Sequence, residues 1–227
     1  RVGFVGSMLY RGLPQKLQQF EADQPGIQIA LTELNSQEQI EALLHGQLDV
    51  GFIHTSRVPD ELAARLIHSE PFVCCMPAAH RLAPRRTIAL TELRGEPFVL
   101  FSRNASPDYY ARIVDMCAAE GFYPQIRHEV RHWLSVVSLV SQGMGVAVVP
   151  AALRHSALAG AAFRPLKHST VPSEVYCVWK AASAALRYLR ISLRLTSGNS
   201  HMAITMKAPR NSTAYFGPTW PRCACRA

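Results

Sequence analysis

The chain has 227 residues, 48% of them hydrophobic and 18% charged, enough apolar material for one large domain or two small ones. That balance excludes a disordered chain, and no stretch approaches the ~20 unbroken apolar residues of a membrane span. The formal charge of +8 is confined to the end: residues 1–174 hold 16 acidic and 16 basic side chains, and the remaining eight basic residues follow Glu174. A nucleic-acid footprint needs a basic face on a folded element, so a neutral body with a basic, solvated tail does not read as one.

Val2-Gly3-Phe4-Val5 reads as a short buried strand. Leu9, Leu13, Leu17 and Phe20 then recur at helical spacing, and Gln24-Pro25-Gly26 ends that helix. Residues 27–32 alternate as a second strand. Ser36 with Gln39 three residues on has the capping-box pattern for a helix burying Ile40, Leu43 and Leu44, stopped at Gly46. Leu48 to Ile53 is a third strand. Strand–helix–strand–helix–strand within 53 residues means a parallel α/β sheet with right-handed crossovers.

Leu66-Ile67 and Phe72 to Pro77 are extended, and Leu82 to Arg94 is loop with a helical turn. Pro97 to Phe101 is a strand, and Ser102 to Ser106 a polar loop. A helix follows with Tyr110, Ile113, Val114 and Cys117 on its apolar side, closed by Gly121. Ile126 to Val130 is a strand, and a helix from about Trp133 to Gln142 buries Val136, Val137, Leu139 and Val140, with Gly143 as its left-handed cap. Val146 to Pro150 completes a second strand–helix unit like the first in topology. Glu174 to Trp179 is a late strand and Leu186 to Leu195 a final helix; 197–227 has no periodicity and is placed outside the fold. The opening on a strand without Met suggests a fragment cut at a domain boundary, and its first residues lack the features of a secretory signal.

The six cysteines lack zinc-site spacing and read as reduced thiols of a cytoplasmic protein. No metal site and no cofactor are expected. The only glycine motif is Gly143-Met144-Gly145, without a dinucleotide fingerprint or P-loop. No nucleophile elbow or zinc-protease motif is present, so a non-enzyme is expected.

In an open α/β sheet ligands bind beyond the carboxyl ends of strands, at helix N-termini. Ser7, with Met8 beside it, follows the first strand; Ser36 opens the second helix. Ser102, Arg103 and Asn104 follow the strand ending at Phe101. Two helix dipoles and a guanidinium suit a small carboxylate. Ser7 and Ser36 also suit pure capping roles, and Arg103 an exposed loop charge. His54, directly after the third strand, and His128, on a strand near the crevice, either see the cleft or are satisfied structural histidines.

Four segments together resemble the effector-binding domain of LysR-type transcriptional regulators. They are Arg1 to Leu9 with Leu13-Pro14, Phe20 and Pro25-Gly26; Thr32 to Ser36 with Gln39 and Leu43-Leu44; Gly46-Gln47-Leu48-Asp49-Val50-Gly51-Phe52; and Val140 to Pro150 around Gly143-Met144-Gly145. The resemblance covers about residues 1–190, closest to regulators of aromatic-compound breakdown. It implies two Rossmann-like subdomains joined by a two-strand hinge, as in type II periplasmic binding proteins. Subdomain I is then 1–69 plus 173–195, subdomain II 70–172, and 196–227 a tail.

It further implies an effector, small and anionic or aromatic-derived, bound in the cleft by Ser7, Met8, Ser36, Ser102, Arg103, Asn104, His54 and His128. DNA is contacted only through an N-terminal helix-turn-helix absent here, in a cytoplasmic homodimer or homotetramer with no membrane partner. The alternative is a periplasmic-type solute-binding protein of a transport system, which needs a signal sequence.

Overall fold

A computed structural model describes residues 1–167 and 171–181, together with the backbone of 190–192 and 205–207. The first unit is β1 (Val2–Phe4), α1 (Leu13–Asp23), β2 (Leu31–Glu33), α2 (Ser36–Leu44) and β3 (Val50–Ile53). β1 pairs in parallel with both β2 and β3, giving the order β2-β1-β3. The carboxyl ends of all three therefore open on the same edge.

β4 (Leu62–Pro77) is one strand of 16 residues, not two separate extended pieces. As far as Pro71 it runs antiparallel to β9 (Pro172–Lys180), which also pairs with β3. From Phe72 its partners become β7 (Ala147–Pro150) and β8 (Ala161–Pro165). The partner changes one residue after Pro71↔Pro172, where prolines on both strands withhold N–H donors from the ladder.

The second unit is β5 (Pro97–Phe101), α3 (Pro107–Ala119), β6 (Gln125–Val130), α4 (Trp133–Ser141) and β7. β5 is parallel to β6, and Phe98 bridges Val146 in parallel just before β7. The apolar cores divide at the same place as the sheet. One cluster gathers Phe72 to Leu153. Two others hold Phe4 to Ile67 together with Val175, Cys177 and Val178 from β9. This is the curled, mixed α/β architecture of type II periplasmic binding proteins, with two strands crossing between two cores.

Several expected boundaries shift. α1 starts at Leu13, after a 3-10 segment Gly6–Arg11, so Leu9 is exposed and only Leu13, Leu17 and Phe20 form the buried stripe. β2 is three residues on the sheet edge, not 27–32, with Ile27 and Leu31 exposed. In α4 Leu139 is only partly buried. β8 carried no sequence signal, because its five residues Ala161 to Pro165 neither alternate nor cluster β-branched side chains. The final helix expected over Leu186–Leu195 is not borne out at Arg190–Ser192, which is strand β10 paired with β11 (Thr205–Lys207); the rest of that span lies outside the described residues. Cys74, Cys75, Cys117 and Cys177 are buried free thiols, and Cys223 and Cys225 lie outside the described residues. No described helix is long and apolar enough to cross a membrane.

Gly145 sets the close approach of β5 to the segment entering β7. Its φ is +143°, and a Cβ there would lie 2.3 Å from the Pro97 carbonyl oxygen, where Val146 N–H now donates. Gly145→Ala is expected to lower stability by about 2 kcal/mol or more, from backbone strain plus the displaced contact. Urea denaturation monitored by circular dichroism measures it.

Candidate functional site

The carboxyl ends of β1, β2 and β3 face those of β5 and β6 across a cavity of about 690 Å³, counting its open mouth. One wall is Val5 and Gly6 after β1, Glu33 to Ser36 and Glu38 where β2 passes into α2, and His54 after β3. The other is Phe101 at the end of β5, Ala105 and Ser106 before α3, and Arg131, His132 and Trp133 between β6 and α4. Three helix starts thus meet one space.

Asn35, not Ser36, caps α2: its side chain accepts from Glu38 N–H, and the Glu38 carboxylate accepts from Asn35 N–H. Ser36 is consequently the first helical residue, and its hydroxyl accepts the His54 N–H at 3.1 Å. Gln39 has no part in the capping box. It is buried, donates to the Leu34 and Phe52 carbonyls, and accepts from Phe52 N–H. Gln39 thereby ties the start of α2 to the end of β3. Gly3 makes room for it, since a Cβ there would meet the Gln39 side chain at 2.9 Å.

Behind the first wall lies a buried polar network. Arg11, on the turn after β1, donates to Glu70 on β4 (2.7 Å from Nε), to Ser173 on β9 (3.2 Å) and to Ser7. Arg11 and Glu70 are a buried ion pair, their side chains 1% and 7% exposed. Tyr109 of α3 reaches the same Ser173 hydroxyl. Ser7 lies 2.9 Å from His54 Nε2, and His54 Nδ1 lies 2.9 Å from the Glu174 carbonyl.

Because a carbonyl only accepts, Nδ1 carries the His54 proton and Nε2 accepts from Ser7 O–H. Burial, with Arg11 nearby, lowers the His54 pKa to about 3 against the raising influence of the Glu174 carbonyl. His54 is neutral at pH 7 and has both nitrogens occupied, so it offers the cavity its ring rather than a charge. Glu70 is pushed up by burial, but His68 at 3.6 Å and Arg11 more than offset this and hold its carboxyl below the ordinary range.

Ser7 and His54 have the spacing of a hydroxyl and its general base. Ser7, however, is fully buried behind the cavity wall and its oxygen already accepts from Arg11, so it does not reach the cavity. This is structural hydrogen bonding.

Of the eight residues expected at the site, Ser36 and His54 line the cavity. Ser7 and Met8 are fully buried behind it, Met8 within the apolar core. Ser102 is half-buried and donates its N–H to the Val130 carbonyl; Arg103 and Asn104 are exposed, with the Arg103 guanidinium 5.9 Å from the Tyr110 ring. His128 is half-buried within β6. None of these four lines the cavity. Their places are taken by Ser106, Arg131, His132 and Trp133, residues the sequence reading did not assign. The rule of strand carboxyl ends, applied to β6 as well as β5, would have found the last three. Trp133 is buried and packs against Phe101, tilted, and Tyr109, edge to face, with ring centroids 4.8 and 5.2 Å away. His132 Nδ1 reaches across to Glu33 at 3.7 Å, the two side chains 68% and 46% exposed. Among the described residues no cluster of three or more His, Cys, Asp or Glu is arranged to hold a metal.

A two-core α/β fold with its cavity where the cores meet defines a ligand-binding module. The model of the LysR substrate binding domain matches residues 1–196. The chain belongs to that family. It is 32% identical over 197 residues to the uncharacterized HTH-type transcriptional regulator YnfL of Escherichia coli, covering 85% of this chain and 66% of the relative. It is 33% identical over 153 residues to the HTH-type transcriptional regulator AlsR of Bacillus subtilis, covering 67% and 51%. The chain thus spans about half to two thirds of these regulators. The solved BenM effector binding domain with its effector benzoate superposes with a TM-score of 0.72 at 25% identity, covering 81% of this chain and 83% of that one. The LysR-family regulator CbnR gives 0.71 at 23%, covering 80% and 63%.

Two measurements test the network. Glu70→Ala leaves the Arg11 guanidinium buried without its counter-charge and is expected to cost about 3–5 kcal/mol. Pairing it with Arg11→Met should recover most of that loss in urea titrations. His54 works with the opposite sign to a gained ion pair: its folded pKa of about 3 lies below the unfolded value of 6.5. Below pH 6.5 the unfolded chain binds the proton and the native one does not, so this contribution to stability falls as pH falls from 6.5 towards 3. The slope approaches about 1.4 kcal/mol per pH unit within that window. Histidine NMR should find the His54 ring neutral at pH 5, and a pKa near 6.5 would refute the assignment.

Proposed function

We propose that this chain is the effector-sensing part of a LysR-type transcriptional regulator, acting inside the cell. A small anionic effector binds in the cavity, changes the angle between subdomain I (1–69 with 173–195) and subdomain II (70–172), and so repositions DNA-binding helices carried by another segment of the protein. The observation that supports this most is the meeting of α2, α3 and α4, from both cores, at one cavity beside Arg131 and His132. Helix N-termini present N–H donors and a positive dipole end, and among the described residues Arg131 has no ion-pair partner.

Ser36, Arg131 and the His54 ring contact the effector in this reading, while Ser7 acts through His54 and Met8 through packing. The apolar lining of Phe101, Trp133 and Val5 suits a flat body, and the benzoate complex of BenM supports an aromatic acid as the class. Its regulator relatives favour this reading over a transport solute-binding protein. The exposed edge strand β2, and Leu134 and Met144 on and just beyond α4, offer surfaces for pairing two copies antiparallel as a homodimer or within a homotetramer.

The proposal is tested with benzoate as probe. Calorimetry is expected to find Arg131→Ala and Ser36→Ala each weakening binding about five-fold, on the order of 1 kcal/mol. Affinity unchanged in both variants would remove the cavity from consideration.

A further inference from the structure

Two carboxylates and one guanidinium line the cavity: Glu33 and Glu38 on the first wall, Arg131 on the second. Glu38 is engaged in the capping box, where its carboxylate accepts from Asn35 N–H. Glu33 has no such duty. Its carboxylate lies over Gly6 at the end of β1, where a Cβ would collide with Oε1, so the missing side chain leaves room for it beside the cavity. Its ion-pair partner is His132 Nδ1 at 3.7 Å, and among the described residues no lysine or arginine pairs with it. Burial, and after it the Glu33 charge, raises the pKa of the Tyr10 phenol, so that charge is felt on the turn after β1. A plain carboxylate entering this space gains Arg131 and the helix starts, but it also meets a negative charge that no fixed cation answers.

Resting on the reading of the cavity as an effector site, we infer that Glu33 is a specificity-determining residue that binds a cationic group of the effector, whose class is a zwitterionic amino acid. The carboxylate of this ligand sits at Ser36 and Arg131, and its ammonium sits at Glu33. A short apolar body lies against Phe101 and Trp133. An ammonium brings Glu33 the charged donors that the protein itself does not supply. The charges of the ligand then match those of the walls in sign at both places.

Calorimetry on the purified chain tests this with matched pairs, benzoate against para-(aminomethyl)benzoate and hexanoate against norleucine. The parent should bind the zwitterion of at least one pair about five-fold more tightly than its plain acid, the scale of an ion pair at a half-exposed carboxylate. Glu33→Gln keeps the shape and removes the charge. It should abolish that preference, bind the plain acid as well as the parent or better, and melt within a degree or so of the parent, since the side chain is half-exposed. His132→Ala should keep the preference, whereas it would mimic Glu33→Gln if Glu33 served only to hold His132. Ser36→Ala should weaken both members of a pair alike. A parent with no preference, a preference that survives Glu33→Gln, or one lost with His132→Ala overturns the role of Glu33, while plain-acid binding sensitive to Ser36 keeps the cavity reading intact. Binding of none of the four compounds overturns the small-acid reading and the inference with it.

Discussion

A guanidinium is costly to bury unless each of its nitrogens finds an acceptor, and the answer to Arg11 organises the centre of this molecule. Its partners come from the turn after β1, from β4, and from β9. Glu70 and Ser173 are paired across the β4–β9 ladder one step before both strands reach proline. The charge therefore sits where the sheet passes from one core to the other. Ordinary apolar packing there would tolerate sliding, whereas directional bonds to Arg11 fix the register of both crossing strands.

The same constraint sets the chemistry of the cavity floor. Arg11 donates to Ser7, so Ser7 turns its proton to His54; His54 must then point Nδ1–H at Glu174. Each step leaves one tautomer, and the tautomer is neutral. Charge recognition is displaced to the walls, where Arg131 and His132 stand on one side and Glu33 on the other. The Glu33–His132 contact crosses the mouth through two largely solvated side chains, a class of pair worth about 0–1 kcal/mol. So the strong electrostatics sit where the two crossing strands pass between the cores, while the contact across the mouth is weak.

The alternation of strands and helices was legible because each parallel strand is a short apolar run and each helix keeps a 3.6-residue stripe. The carboxyl-end rule located the cavity from the same reading. What failed were features set by tertiary context. Ser36 looked like the cap because Gln39 stood three residues on, but Gln39 is drawn into the core by the Phe52 and Leu34 backbone, and Asn35 with Glu38 takes over. β4 read as two pieces because its burial pattern changes where its partners do. Arg11 was passed over altogether: a lone arginine on a turn has no sequence mark of burial, since its counter-charge lies 59 residues away.

Ser106 and Arg103 show why side-chain type alone misassigns a cleft. A loop arginine after a strand looks like an anion ligand, yet Arg103 points to solvent beside Tyr110. A serine before a helix looks like a cap, yet Ser106 caps nothing. The difference lies in where stability is given up. An exposed guanidinium costs the fold nothing and so says little about use, whereas a helix-start serine that makes no cap forgoes a bond worth about 1 kcal/mol. Local sacrifice of that kind tends to collect at functional sites, and Ser106 lines the cavity.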